Sequence, residues 1–281
     1  MQVFLNGALL QADEAKVSVF DRGFIYGDGL FESIRVANGT PFRWRQHMAR
    51  LERGAAFLKI RLPFQTEQLC AASEQLILAN QVTEGMLRIA VSRGVGPRGY
   101  SIRGADNATV VISTHELLRR PALWKAVVSP FRVPAGDPFS AFKTSNKLAQ
   151  VMSKSLAEDQ EADEALLLNT DGHVVEGISS NVFWIANRRL FTPALEAGLL
   201  PGVTREIVIG IAEQHGFTVK ESKAEVLTLQ QAQGIFFTVS SAGIVECAAL
   251  EDTHIPQSEI TGELKANYER LLKVETSRRA S

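Results

Sequence analysis

Apolar and polar positions alternate with a period of two from Leu30 to Val36, the spacing of a strand with one buried face. The same period predicts strands from Met86 to Ser92 and from Ala108 to Ser113. At the start of the chain, Val3 to Leu10 reads as a strand folded back at Asn6-Gly7, and Asn38-Gly39 marks a second hairpin turn. Glycines 23, 27 and 29 predict a tight loop ahead of the Leu30 strand. The period becomes helical over Gln46 to Lys59, where Met48, Leu51, Ala55 and Leu58 share a side, and a second helix is predicted over Gln65 to Asn80. The polar stretch Thr114 to Arg120, closed by Pro121, is the best link between two domains. Beyond it the pattern predicts a strand from Trp124 to Val133 and a helix from about Asn146 to Asp159. A hairpin of Ala165–Asn169 with Val174–Glu176 turns at Thr170-Asp-Gly172, and an apolar strand then reaches Ile185. A helix from Leu200 to His215, one buried strand within Gly234–Val245 and a covering helix from Ile260 to about Glu275 complete the chain. The expectation is a mixed α/β (α+β) protein of two domains: a smaller one over 1–115, a link over 116–123 and a larger one over 124–281.

Composition narrows the function classes. A chain of 281 residues with 45% hydrophobic content has enough material for two cores. Net charge is −1 and no basic run occurs, which argues against nucleic acid as a partner. The first residues, Met-Gln-Val-Phe-Leu-Asn-Gly, lack a basic region followed by a long apolar run, and no stretch is apolar over the length of a bilayer. Cys70 and Cys247 match no metal or redox spacing and read as buried thiols of a cytoplasmic protein. The five histidines are scattered, without His-Glu-x-x-His, so no metal site is expected.

Four stretches carry candidate chemistry. Phe139-Ser-Ala-Phe-Lys143-Thr-Ser-Asn-Lys-Leu148 sets a lysine among apolar and small residues ahead of a helix, a setting that favours the neutral, nucleophilic amine. Glu176-Gly-Ile-Ser-Ser-Asn ends a strand with a carboxylate and continues in small residues. Leu200-Pro-Gly-Val-Thr204 opens a helix whose first turn can cradle a phosphate. Between two strands, Gly94-x-Gly96-x-x-Gly99 has the form of a dinucleotide fingerprint. Pro97 and a polar continuation replace the helix that the fingerprint needs, so what remains is a loop bearing Arg98 and Tyr100. Seen alone, each stretch has a commoner structural explanation: a surface lysine, a hairpin-end ion pair, a capped helix, a solvated hairpin.

In this order and at these spacings, the motifs resemble the class IV aminotransferases, pyridoxal-phosphate enzymes of fold type IV. The resemblance runs from Asp21-Arg-Gly-x-x-x-Gly-Asp-Gly29 to Thr238-Val-Ser-Ser-Ala-Gly-Ile244. It implies a two-domain, D-amino-acid-aminotransferase-like architecture, pyridoxal 5'-phosphate as cofactor, a small-molecule amine as substrate and a homodimer. It also implies that Lys143 forms the Schiff base and acts as general base, and that Glu176 pairs with the pyridine nitrogen. Arg50, in His47-x-x-Arg50-Leu51, would bind the phosphate together with Val203, Thr204 and Ser240. Substrate contacts would fall to Phe31, Arg98, Tyr100, Ser241 and Ala242. Within the family, Arg98-Gly-Tyr100-Ser is most like the aminodeoxychorismate lyase branch of folate biosynthesis. The D-amino-acid branch carries a histidine at the Tyr100 position and a tyrosine at the Phe31 position. A transaminase acting on D-amino or branched-chain amino acids with 2-oxoglutarate is the alternative.

Overall fold

The strand predicted from Leu30 becomes the spine of a six-stranded antiparallel sheet, in a computed structural model that describes residues 1–118 and 120–277. The chain divides into two units. Unit 1 comprises Met1–Leu118, Phe142–Asn146 and the stretch from Leu272, and unit 2 comprises Arg119–Ala141 and Lys147–Leu271.

Unit 1 contains β1 (Gln2–Leu5), β2 (Ala8–Gln11), α1 (Arg22–Tyr26), β3 (Gly29–Ala37), β4 (Thr40–Pro41), α2 (Trp44–Leu58), α3 (Thr66–Ala79), β5 (Gly85–Ser92) and β6 (Thr109–His115). Its sheet runs in the order β2-β1-β6-β5-β3-β4. Leu30, Ile34 and Val36 of β3 join Leu87, Ile89 and Val91 of β5 on one face, and Met48, Leu51 and Ala55 of α2 with Leu69 and Leu76 of α3 cover them. That face buries the apolar half of each alternating strand, which fixes the register: a slip by one residue would turn every one of these side chains outward. The tight loop expected around the glycines contains α1, a five-residue helix. The Asp21 carboxylate caps it by accepting the Gly23 N–H at 2.7 Å, and Gly27 ends it in the left-handed region at φ 66°.

Unit 2 contains β7 (Leu123–Val133), α4 (Leu148–Asp159), β8 (Glu164–Asn169), β9 (Val174–Gly177), β10 (Asn181–Ala186), β11 (Arg189–Pro193), α5 (Val203–Gln214), β12 (Val219–Ser222), α6 (Val226–Gln230), β13 (Ile235–Val239), β14 (Gly243–Leu250), β15 (Thr253–His254) and most of α7 (Glu259–Ser277). Its nine-stranded sheet has the order β12-β11-β10-β13-β14-β7-β8-β9, with β15 on β14. It curls, so that β9 also lies beside β10 and β11. Trp124, Trp184 and Phe237 centre its core, and Phe183 stacks on Phe236 at 4.9 Å.

Four expectations change. Gly234–Val245 is not one strand but two, β13 and β14, folded at Ser240–Ala242. Gly243 takes φ 70°, and its missing side chain leaves room for the Tyr268 ring. The link starts later than Thr114, which is buried in β6 and accepts a hydrogen bond from Asn80. Cys247 is buried, and burial pushes its thiol up to about 12, but Cys70 on α3 is only half-buried. Lys143, expected within the larger domain, sits in the five-residue segment that belongs to unit 1, because that segment pairs with the edge of β3. No described helix is long and apolar enough to cross a membrane.

Gly243→Ala tests the hairpin. A Cβ there would lie 2.4 Å from the Tyr268 ring on a left-handed backbone, and strain with overpacking should cost roughly 2–4 kcal/mol. The denaturation midpoint should fall with its slope unchanged, and an unmoved midpoint would mean that the turn relaxes freely.

Candidate active site

Each unit carries its own set of candidate residues. In unit 1 the core face of β3 carries a carboxylate, Glu32, with no exposed surface. His47 and Arg50 stand one turn apart on α2 and reach it together. Arg50 donates from Nε to Oε1 at 2.8 Å and from its terminal nitrogen to Oε2 at 2.7 Å, while His47 Nδ1 lies 2.7 Å from Oε2. Burial opposes ionisation of Glu32, yet hydrogen bonds from Arg50 and His47 outweigh it and bring the carboxyl down to about 2. For His47, burial wins over the neighbouring carboxylate and holds the ring below its ordinary value. The neutral ring must then carry its proton on Nδ1, since a carboxylate can only accept.

The opposite face of β3 presents Phe31. β4 covers only the far end of the β3 edge, at Val36 and Ala37, and the segment Phe142–Asn146 takes the near end. There the Phe31 N–H donates to the Lys143 carbonyl and the Ser145 N–H donates to the Gly29 carbonyl, both at 2.9 Å. Phe142 stacks on Phe57 at 4.5 Å and anchors the segment. This pairing places Lys143 Nζ 4.9 Å from the centre of the Phe31 ring. Arg88, on the same face of β5, lies over that ring at 3.9 Å. Burial lowers Arg88 from its ordinary value, and no carboxylate pairs with it among the described residues. Arg98 is exposed on the loop between β5 and β6, and Tyr100, 89% exposed, leans on Tyr26 with ring centres 5.6 Å apart.

In unit 2, Glu176 lies near the end of β9 and its Oε2 accepts the Leu200 N–H at 3.0 Å and the Asn181 amide at 3.1 Å. The same Asn181 amide reaches the Leu200 carbonyl at 2.9 Å. A second carboxylate holds the turn that follows. Glu164 on β8 accepts from the Ala165 and Ile178 amides and, at 2.7 Å, from the Ser180 hydroxyl. Burial raises the Glu164 carboxyl, against those bonds. Asn181 also packs so tightly on Gly202 that a Cβ there would sit 2.0 Å from its oxygen. Gly202 leads into α5 without a side-chain cap, and Val203 and Thr204 are buried in the first turn. Thr238 Oγ1 on β13 and Ser241 Oγ in the turn after it are buried with no hydrogen-bond partner among the described residues, and Ser240 and Ala242 complete that turn. Uncapped helix N–H groups and orphaned hydroxyls fit a phosphate, and a fixed carboxylate fits a protonated ring nitrogen, so this unit suits pyridoxal phosphate.

Glu32, Arg88 and Glu164 escaped the sequence reading. Glu32 had a signal: it occupies a core-face position among Leu30, Ile34 and Val36, where a carboxylate demands a cation. Arg88 alternates with Leu87 and Ile89 and looks like an ordinary exposed strand charge until the Lys143 segment is in place.

The family model for amino-transferase class IV matches residues 29–250. A provisionally named branched-chain-amino-acid aminotransferase of Methanocaldococcus jannaschii is 34% identical, covering 95% of this chain and 95% of that protein. Aminodeoxychorismate lyase of Bacillus subtilis is 28% identical, covering 96% and 94%. D-alanine aminotransferase of Bacillus licheniformis is 31% identical, covering 97% and 96%. The solved 4-amino-4-deoxychorismate lyase of Pseudomonas aeruginosa superposes with a TM-score of 0.86 at 28% identity, covering 95% of this chain and 98% of that one. The T.th. branched-chain amino acid aminotransferase, solved with pyridoxamine 5'-phosphate, gives 0.90 at 26% identity, covering 99% and 95%.

Replacing Glu32 by Gln should cost roughly 3–5 kcal/mol, because Arg50 is left buried without its counter-charge. The carboxyl is about 2 when folded against an ordinary 4.5. Its contribution is therefore complete above about 4.5 and fades as pH falls toward 2. The stability gap between wild type and Glu32→Gln, read from urea unfolding, should narrow over that window. A gap independent of pH would mean that Glu32 is not held as an ion.

Proposed function

We propose that this chain, which belongs to the class IV amino-transferase family and works with pyridoxal phosphate, is a 4-amino-4-deoxychorismate lyase that releases 4-aminobenzoate and pyruvate. Its fold is that of the fold type IV enzymes. One observation carries the choice of reaction: the Phe31 ring is flanked by Arg88 at 3.9 Å and Lys143 Nζ at 4.9 Å. A flat apolar surface beside a half-buried guanidinium that meets no carboxylate among the described residues suits a ring substrate with two carboxylates better than a small amino acid.

The bound cofactor supplies an electron sink for the bonding pair released at the carbon next to the substrate nitrogen. Lys143 would hold the cofactor, and its side-chain amine would take the proton from the ring carbon that bears nitrogen and pass one to the leaving enol carbon. The C–O bond to the enolpyruvyl group breaks, the ring becomes aromatic and pyruvate departs, with no water or oxidant consumed. Glu176, fixed by the Leu200 N–H and the Asn181 amide, keeps the proton on the pyridine nitrogen. Val203, Thr204 and Ser240 would donate to the phosphate, and Arg50, oriented by Glu32, would be a further phosphate ligand by the family's pattern. Arg98, Tyr100, Arg88 and the Ser241-Ala242 backbone receive the substrate's acid groups. The working form is a homodimer, a reading supported by the exposed apolar side chains of Val19, Phe20, Phe24 and Ile25 at α1.

The second reading, a transaminase for branched-chain or D-amino acids with 2-oxoglutarate, has support in the aminotransferase relatives at 34% and 31% identity.

Purified protein given aminodeoxychorismate should form 4-aminobenzoate and pyruvate with a kcat/KM well above that for any amino acid and 2-oxo acid pair. Steady amination of 2-oxoglutarate with no 4-aminobenzoate would replace the lyase by the transaminase. Glu176→Gln should retain the cofactor's visible absorbance and lose about a hundredfold in turnover, roughly 2.7 kcal/mol of transition-state stabilisation. Near-normal turnover would remove Glu176 from its role.

A further inference from the structure

The loop that carries Arg98 and Tyr100 is held by its backbone. Arg22, 3% exposed, donates from Nε to the Asp28 carboxylate at 2.9 Å and from a terminal nitrogen to the Gly99 carbonyl at 2.8 Å. The Tyr26 hydroxyl accepts the Gly99 N–H at 2.9 Å. Both polar groups of the one residue between Arg98 and Tyr100 are thus fixed by α1. Gly99 itself stands at φ 101°, a conformation that suits glycine.

The support continues inward. The Arg22 guanidinium lies over the Tyr26 ring at 4.9 Å. Asp28, which orients Arg22, is shared with Arg93, whose Nε and terminal nitrogen reach its two oxygens at 2.7 and 2.9 Å. Arg93 also donates to the Leu58 and Lys59 carbonyls at 2.8 and 2.9 Å, so the assembly rests on the end of α2. Burial opposes the charge on Asp28, but the hydrogen bonds from Arg93 and Arg22 prevail and hold its carboxyl below the ordinary range. None of these tethers uses the side chain of Arg98, which makes no hydrogen bond or ion pair among the described residues.

We propose that Arg22 and Tyr26, braced by Asp28 and Arg93, are positioning residues that set substrate recognition by Arg98 and Tyr100. This rests on the reading that Arg98 binds a substrate carboxylate. It adds that affinity depends on how firmly α1 grips the peptide groups of Gly99. An arginine on a free loop would lose rotational and backbone freedom on binding, whereas one on a clamped loop has lost most of it beforehand.

The test is a double-mutant cycle of Tyr26→Phe with Arg98→Ala, on the cofactor-loaded enzyme and whichever substrate the wild type turns over best. Tyr26→Phe deletes the acceptor and keeps the ring. It should raise KM about 3- to 10-fold, the loss of one backbone hydrogen bond, with kcat, melting temperature and the cofactor's absorbance unchanged. Amide exchange at Gly99 should quicken. With Arg98 already removed, Tyr26→Phe should add little to KM. Arg22→Lys, which keeps the charge but loses the fork that spans Asp28 and Gly99, should behave like Tyr26→Phe. A raised KM that multiplies independently in the double variant overturns the proposal, because Tyr26 would then act without Arg98. An unchanged KM in Tyr26→Phe overturns it as well. An Arg98→Ala enzyme with wild-type KM would instead overturn the assignment of Arg98 to the substrate, and the proposal with it.

Discussion

A carboxylate with no exposed surface survives as an ion only where donors meet it on several sides, and Glu32 is met by Arg50 and His47. Much of unit 1 depends on that arrangement. It locks α2 onto β3 through polar bonds with defined geometry, where apolar packing alone would allow the helix to slide. With one face of β3 fixed, the alternation of the strand leaves Phe31 no choice but the other face. The Lys143 segment, paired to the adjacent edge, then meets Phe31 and Arg88. The buried ion thus sets the chemistry on the far side of the sheet without touching it.

Unit 2 reaches a similar end by another route. Glu164 and Glu176 stand on the adjacent strands β8 and β9, and amides and a hydroxyl hold them in place. Glu164 is fixed by the turn at Ile178 and Ser180, and Glu176 by Leu200 and Asn181. Amide and hydroxyl donors of this kind fix the direction in which a carboxylate faces. That suits Glu176 to a ring nitrogen, whereas the charge of Glu32 is taken up in holding α2.

The helices α2, α3 and α5 and the strands β3 and β5 could be read from periodicity because each is long and has a buried face. The Lys143 motif was legible as a motif, but its place beside β3 was not. Five residues borrowed by another unit leave no periodic trace, and the two hydrogen bonds that seat them link positions far apart in sequence. The five-residue α1 was hidden for a related reason: glycines that permit a loop also permit a short helix, and the Asp21 cap decides between them. Strong β-formers on both sides of Ser240-Ser-Ala-Gly243 concealed a reversal that depends on Gly243 and the space beside Tyr268. Glu32 left a trace as a carboxylate at a core-face position, whereas Arg88 stood out only once the Lys143 segment was in place.

The seating of Phe142–Asn146 has a consequence for how the protein is made. Unit 1 has most of its chain by Leu118, but β3 keeps an open edge at Gly29–Phe31 until residue 146 has emerged. On the ribosome, the earlier part of the chain must therefore wait with unpaired backbone groups at the position where the Lys143 segment will dock. A fragment cut at the apparent boundary would retain that open edge permanently. The segment that carries Lys143 therefore also serves the sheet, closing an edge that residues 1–118 leave open.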